Sequence, residues 1–244
     1  MTTTSTAPAL TLCELADASA FGIESLSPFC LKAHRALRSR GLVYARRHAS
    51  HPGAHKLSTT GQVPILLVGE SEVVTDSTRI LARLGLLSNR PFDGEGDRES
   101  RAETWLYEEL ADTALNAFLV AARWADERNW ASTEAAYFAE MPKLVRLFVP
   151  GKLRRNVLDA LVKRDVWRNG PEACWSRFTG VLDRLDGRAP REGFWVGDSI
   201  TAADVALFGQ LRSFMTALTP WQAERVRERE ALHAYVQRVD RATA

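Results

Sequence analysis

The chain has 244 residues, 45% apolar and 25% charged, with a formal net charge of +2. That is ordinary for a soluble globular protein, and the length suffices to bury a core in one large domain or two small ones. No basic stripe or arginine-rich tail points to nucleic acid, no apolar run approaches the ~18 residues that span a bilayer, and three widely spaced cysteines suit a reducing compartment, not a disulfide framework. Residues 1–8 lack the basic start and apolar core of a secretory signal and read as a disordered lead-in. The expectation is a cytoplasmic protein with neither a nucleic-acid nor a membrane partner.

Residues 9–87 alternate short apolar runs with one clear helix. Ala9–Leu15 reads as a buried strand. A helix starts at Ser27-Pro28, serine suiting the N-cap and proline the first turn, and stops at Gly41. On it, Cys30, Ala33, His34 and Leu37 share one face, and Lys32, Arg35, Arg38 and Arg40 are expected to point to water. A strand near Leu42–His48 follows, then a polar stretch to Gly61. Two strands, Pro64–Val68 and Glu72–Thr75, form a hairpin around Gly69-Glu70-Ser71, and a helix runs from about Ser77 to Leu86. This order predicts a small mixed sheet with helices packed on it.

Residues 88–97 have the Gly, Pro and polar content of a linker. Beyond them only helices are expected, over Arg98–Arg128 (with Trp105, Leu106, Leu110, Ala114, Phe118 and Ala122 at helical spacing), Thr133–Phe148, Lys152–Trp167, Glu172–Leu185, Ala202–Ala217 and Ala223–Val239. Thr201 and Asp204 stand in the relation of a capping box, with Ile200 and Val205 as a hydrophobic staple. Lys143–Arg168 gathers Lys143, Arg146, Lys152, Arg154, Arg155, Lys163, Arg164 and Arg168, which reads first as a solvated helix face. The seven tryptophans are expected to pack the helical half. His51 and His55 are four apart, but Pro52-Gly53 breaks any helical turn between them, so no metal site is assigned.

Four segments in order, Ser27-Pro28-Phe29, Gln62-Val63-Pro64-Ile65-Leu66, Asp76-Ser77-Thr78-Arg79-Ile80-Leu81 and Phe194–Ala206, resemble those of glutathione S-transferases over nearly the whole chain. The resemblance implies a thioredoxin-like domain (9–87), a linker (88–97) and an all-helical domain (98–244). It implies glutathione as co-substrate: a cis Val63-Pro64 bond turns the Val63 backbone toward the cysteinyl part, Asp76 takes the γ-glutamyl ammonium, Ser77 its carboxylate, and Gln62 stands near the glycine end. Ser27 matches the serine that activates the thiol, and its position at a helix N-terminus suits a sulfur anion. A small hydrophobic electrophile and a homodimer are the implied partners, and no metal is needed.

Other readings stay open. Ser27 and the Asp76-Ser77 pair are also ordinary helix caps. Ser27-Pro28-Phe29-Cys30 is similar to the glutaredoxin Cys-Pro-Phe-Cys motif with its first cysteine replaced, which leaves a glutathione-dependent reductase or isomerase using Cys30 as a weaker alternative, packing being the plainer role for Cys13, Cys30 and Cys174. The stretch from Ala16 to Leu26 is longer than is usual in the family, and Val149-Pro150-Gly151 with Arg154-Arg155 is similar to the divergent metaxin-like and failed-axon-connections-like branch, some of whose members have no established transferase activity. A non-catalytic scaffold, docking through the basic Lys143–Arg168 region, is therefore the second hypothesis.

Overall fold

The computed structural model describes residues 8–49, 55–58, 61–94, 96–139 and 141–244. A sheet of four strands, β1 (Leu10–Leu15), β2 (Ala45–Ala49), β3 (Ile65–Val68) and β4 (Glu72–Thr75), runs in the order β2-β1-β3-β4. β1 and β2 are parallel, joined by α1 (Pro28–Ser39), and the other pairs are antiparallel, with Leu12 opposite Leu66 and Ile65 opposite Thr75. Leu10, Leu12, Leu66 and Val68 pack with Ala33, Ala36 and Leu37 of α1 and with Ile80, Leu81 and Leu84 of α2 (Ser77–Ser88). This is the thioredoxin-like arrangement of mixed sheet and helices.

The remaining described elements are helical. A continuous rod begins as α3 (Arg98–Glu109), widens into a π-helical turn at Leu110–Leu115, continues as α4 (Asn116–Val120) and widens again at Ala121–Ala125. Then come α5 (Glu127–Phe138), α6 (Lys143–Arg146), α7 (Val149–Lys163), α8 (Gly170–Arg188), α9 (Ala202–Phe214), α10 (Pro220–Arg227) and α11 (Glu230–Ala242). The sequence reading drew α5 and α6 as one helix and α10 and α11 as another. Pro142 and the extended Arg229 mark the breaks.

The hub of the helical half is α9, which is buried along almost its whole length. The buried Asp204 accepts four hydrogen bonds, from the Trp195 amide (2.8 Å), the Thr201 amide and hydroxyl (2.8 Å each) and the Tyr235 hydroxyl (2.6 Å). The capping box thus does more than start a helix, because it ties α9 to α11 and to the segment before it.

Helix α1 has no watery face. Lys32 is 1% exposed and Arg35 6%, against the expectation that both point to solvent. The reason is that α9 packs on the side of α1 turned away from the sheet. Lys32 is neutralised by Glu108 and Asp112. Arg35 pairs with Glu24 (2.9 Å) and Asp240 (2.8 Å) and lies over the Phe208 ring. Arg40 stacks on Phe92 and donates to the carbonyls of Arg90, Pro91 and Ile200, pinning the segment between α2 and α3. Arg38, on Glu24, and Arg40 are the two of the four cations that keep partly wet positions. In α3 the correction runs the other way, since Trp105 and Leu106 are 58% and 59% exposed and Thr104 and Glu108 face inward.

The approach of α1 to α9 is set by Gly209. A Cβ there would lie 2.6 Å from the Pro28 carbonyl oxygen and 3.3 Å from the Lys32 amide, both backbone atoms. Gly209→Ala is expected to cost ~1–3 kcal/mol by forcing the helices apart. Gly151→Ala in α7, where a Cβ meets open space, should be neutral or stabilising by up to ~1 kcal/mol. Urea unfolding midpoints of the two variants check the contrast.

Candidate functional site

β3 opens with Val63-Pro64, whose peptide bond is cis. β4 delivers the chain to Asp76, the N-cap of α2, whose side chain accepts from the Arg79 amide at 3.1 Å. Asp76 holds φ 77°, ψ 131°. Positive φ is costly for any residue with a Cβ, by ~1–3 kcal/mol, and such conformations concentrate at functional sites. The first amides of α2 have no partner within the helix and carry its positive dipole end.

These residues wall one cavity of about 640 Å³. Gln62, Val63, Pro64 and Thr75 come from the sheet side, Asp76, Ser77, Thr78 and Arg79 from the start of α2, and Phe29 from α1. Glu109, Asp112 and Thr113 face them from the helical rod. Of the six residues singled out from the sequence, Gln62, Val63, Pro64, Asp76 and Ser77 share this space. Ser27 does not line it. Its side-chain oxygen accepts from the Cys30 amide at 3.3 Å as the N-cap of α1, half-buried, and Phe29 reaches the cavity instead. The Ala16–Leu26 stretch folds back beside it: Ala18, Ile23 and Leu26 are buried with Leu31 and Leu218, and the Leu26 carbonyl accepts from Arg123 at 2.5 Å.

Cys30 is fully buried, and burial pushes its thiol up to about 12; Cys174 is likewise pushed to about 12 and Cys13 is raised. None supplies a thiolate near neutral pH, which argues against dithiol chemistry. Behind Cys30, Glu14 of β1 is fully buried and takes hydrogen bonds from Arg46 (2.6 Å) and from His34 (2.9 Å). Burial alone would raise its carboxyl, but those bonds hold it below the usual range. His55 is tied to the sheet, its Nε2 bonding the Glu14 carbonyl at 2.7 Å. His51 lies outside the described residues.

What sequence reasoning missed is the helical wall. Lys32 Nζ donates to Glu108 Oε1 (2.6 Å), Asp112 Oδ2 (2.5 Å) and Thr78 Oγ1 (3.2 Å), and Thr78 donates to Glu108 Oε1 (2.7 Å). Asp112 Oδ1 is buried without a hydrogen-bond partner among the described residues. Two carboxylates share one ammonium there, and the Asp112 carboxyl is pushed up to about 6, by burial above all, with Lys32 opposing and Glu108 and Glu109 adding to the rise. Asp112 and Thr113 sit in the π-helical turn at Leu110–Leu115, where an inserted residue rotates the side chains away from the regular helical register. No 3.6-residue pattern finds them.

A second cavity, about 820 Å³, adjoins the first and shares Phe29, Gln62, Asp112 and Thr113 with it. Its further walls are Ala114, Asn116, Ala117 and Phe118 of the rod and Arg164, Val166 and Arg177 from the α7–α8 region.

Comparison with known proteins agrees with this geometry. Residues 28–129 match the model of a glutathione S-transferase N-terminal domain, and residues 154–238 that of a glutathione S-transferase C-terminal domain. The chain belongs to the glutathione S-transferase superfamily. Among curated relatives, metaxin-1 of Macaca fascicularis is 23% identical over 201 residues, which cover 73% of this chain and 60% of that protein. The chain thus spans about 60% of the length of that relative. The isoprene-epoxide–glutathione S-transferase of Rhodococcus is 22% identical over 206 residues, covering 83% of this chain and 86% of that protein. A glutathione S-transferase structure from Rhodospirillum rubrum has the same fold with a TM-score of 0.63 at 15% identity, over 95% of this chain and 87% of that one. A family member from Pseudomonas fluorescens, solved with two glutathione molecules bound, gives 0.60 at 15% identity over 96% and 92%.

The Asp112 environment has a signed consequence. Its folded value of about 6 lies above the unfolded value of ~3.9, so its contribution to stability is complete below about pH 4 and lost as pH rises through 6. Asp112→Asn should remove a pH-dependent loss of up to roughly 3 kcal/mol over that window, read as a flatter curve of urea-unfolding free energy between about pH 4 and 7. Lys32→Ala, which strands two carboxylates in the interior, should cost ~3–5 kcal/mol at neutral pH.

Proposed function

We propose that the first cavity holds glutathione and that the chain conjugates its thiolate to a small electrophile. The observation that carries this is the convergence of Gln62, Val63, Pro64, Asp76 and Ser77 on one space at the start of α2. In this reading residues 9–87 form the glutathione-binding domain, residues 98–244 supply the electrophile's cavity, 88–97 link them and 1–8 form a tail. The Val63 backbone pairs with the cysteinyl unit. Asp76, with Asp112 and Glu109 opposite, surrounds the γ-glutamyl ammonium, and Ser77 and the free amides of α2 take its carboxylate. Ser27 then stabilises the sulfur anion. Its oxygen already accepts from Cys30, which leaves its own O–H proton to donate. Lowering the thiol from ~8.5 toward 6–7 multiplies the thiolate present at neutral pH. Homodimer assembly and a cytoplasmic setting complete this reading; no helix among the described residues is long and apolar enough to cross a membrane.

A second reading, a glutathione-holding interaction module without turnover, is favoured by two observations. Ser27 stands outside the cavity lining. Exposed Leu144, Leu147 and Phe148 interleave with Lys143, Arg146 and Lys152, an apolar-and-basic surface in the region that the sequence offers either as a solvated face or as a docking face.

Calorimetric titration of glutathione at neutral pH tests both. A Kd between micromolar and low millimolar, roughly −4 to −8 kcal/mol, is expected, with Asp76→Asn weakening it about 10-fold or more through a lost charge-assisted contact. No binding up to several millimolar would sink the glutathione site. Ser27→Ala should leave Kd within about twofold while cutting kcat by ~10–100-fold, the worth of one hydrogen bond to a charged group. Unchanged turnover would reduce Ser27 to a helix cap, and binding without turnover would favour the module.

A further inference from the structure

The two cavities differ in the charge they present. The first has Asp76, Glu109 and Asp112 against Arg79. In the second, Asp112 stands at the shared edge, and Arg164 and Arg177 line the part that the first cavity does not reach. Helix α7 ends at Arg164, and Asp165 takes a left-handed turn (φ 74°). The buried Val166 that follows lines the second cavity beside Arg164. Arg177 of α8 lies on the same wall.

These cations are under-neutralised. Asp165 is shared, 3.2 Å from Arg168 and a loose 3.9 Å from Arg177. Arg164 has no acidic partner among the described residues. Between the arginines and the shared edge the surface is mixed, with Phe29, Ala114, Ala117, Phe118 and Val166 interrupted by Asn116. The second cavity therefore has a carboxylate at one end, a partly apolar body and excess guanidinium at the other.

Building on the glutathione reading, we propose that this chain's electrophile carries an anionic group, such as a carboxylate, on an aromatic or aliphatic body, and that Arg164 and Arg177 hold that group at the end of the second cavity away from sulfur. Asp112 orients the molecule from the other side. Its Oδ2 is fixed by Lys32 and its Oδ1 has no partner among the described residues, so an anion placed beside it meets like charge, and the same anion turned around meets two forked donors. Arginine suits this task because its planar fork matches a carboxylate in two parallel hydrogen bonds. A volume of about 820 Å³ lies within the ~300–1,000 Å³ of cavities that enclose small molecules.

The test uses two glutathione conjugates that differ only in charge at the far end, S-(4-carboxy-2-nitrophenyl)glutathione and its carboxamide, titrated calorimetrically into the full chain. The carboxylate conjugate is expected to bind about 10-fold more tightly, the combined effect of two partly exposed charge pairs. That preference should shrink steeply between about 50 and 500 mM salt. In the Arg164→Gln/Arg177→Gln double variant the ratio should fall to about one, with the affinities for glutathione and for the carboxamide unchanged. Equal affinity for the two conjugates in the unaltered protein, or a preference that survives the double variant or the salt, overturns the proposal. So does a parallel loss of glutathione affinity in the double variant, which would assign the arginines to the tripeptide's own carboxylate. If neither conjugate nor glutathione binds, it is the glutathione reading that has failed, and this proposal fails with it.

Discussion

The structure turns on one constraint: helix α1 is covered over most of its length, and the cations Lys32 and Arg35 that this cover buries must find acidic partners. A buried ammonium without a partner is prohibitively expensive, and a buried pair is tolerated only with good geometry. Lys32 meets that condition through Glu108, Asp112 and Thr78, and Arg35 meets it through Glu24 at one end of the chain and Asp240 at the other. Glu108, Asp112 and Asp240 thus reach the cations of α1 from the helical part of the chain, and Glu24, which precedes α1, completes the pairing of Arg35. Gly209 sets the distance at which this works, because its missing side chain lets the α9 backbone rest on that of α1.

The same ion cluster shapes the candidate site. By holding one oxygen of Asp112, Lys32 fixes the helical rod against the start of α2, on a residue that lines both cavities. The π-helical turn at Leu110–Leu115 makes this possible, since a regular helix would carry residue 112 to a different azimuth. On the opposite wall, Asp76 is held at positive φ between β4 and α2, a conformation that persists only where surrounding structure over-determines it. The hairpin on one side and the buried Ser77 and Ile80 of α2 on the other do so here.

The chemistry available divides between these walls. The wall of the first cavity that carries Gln62 to Pro64, Asp76 and Ser77 is built from local motifs at the start of β3 and of α2. The far wall of the second cavity is built from side chains of the π-helical turn at Leu110–Leu115, α4, the α7–α8 turn and α8. Members of one superfamily can share the first wall and differ in the second, and low identity to both a transferase and metaxin-1 is compatible with that division. The deeply buried cysteines and the helix-capping role of Ser27 leave the chain's own groups to bind and orient, with the reactive sulfur supplied by the ligand in the proposed reading.

Local order was legible from residues alone. The serine cap of α1, the hairpin around Gly69, the Asp76 cap and the capping box at Thr201 and Asp204 all follow from interactions within a few positions, where spacing dictates geometry. So did the grouping of Gln62 to Pro64 with Asp76 and Ser77, because adjacent strands of one hairpin bring them together. What only the tertiary structure decided were the contacts between distant segments. The burial of Lys32 and Arg35, the outward face of Trp105 and Leu106, the absence of Ser27 from the cavity wall and the place of Asp112 at the meeting of two cavities depend on how α1, α3 and α9 pack. A cation's spacing on a helix says which face it lies on. Whether that face meets water or a carboxylate is settled by which helix comes to cover it.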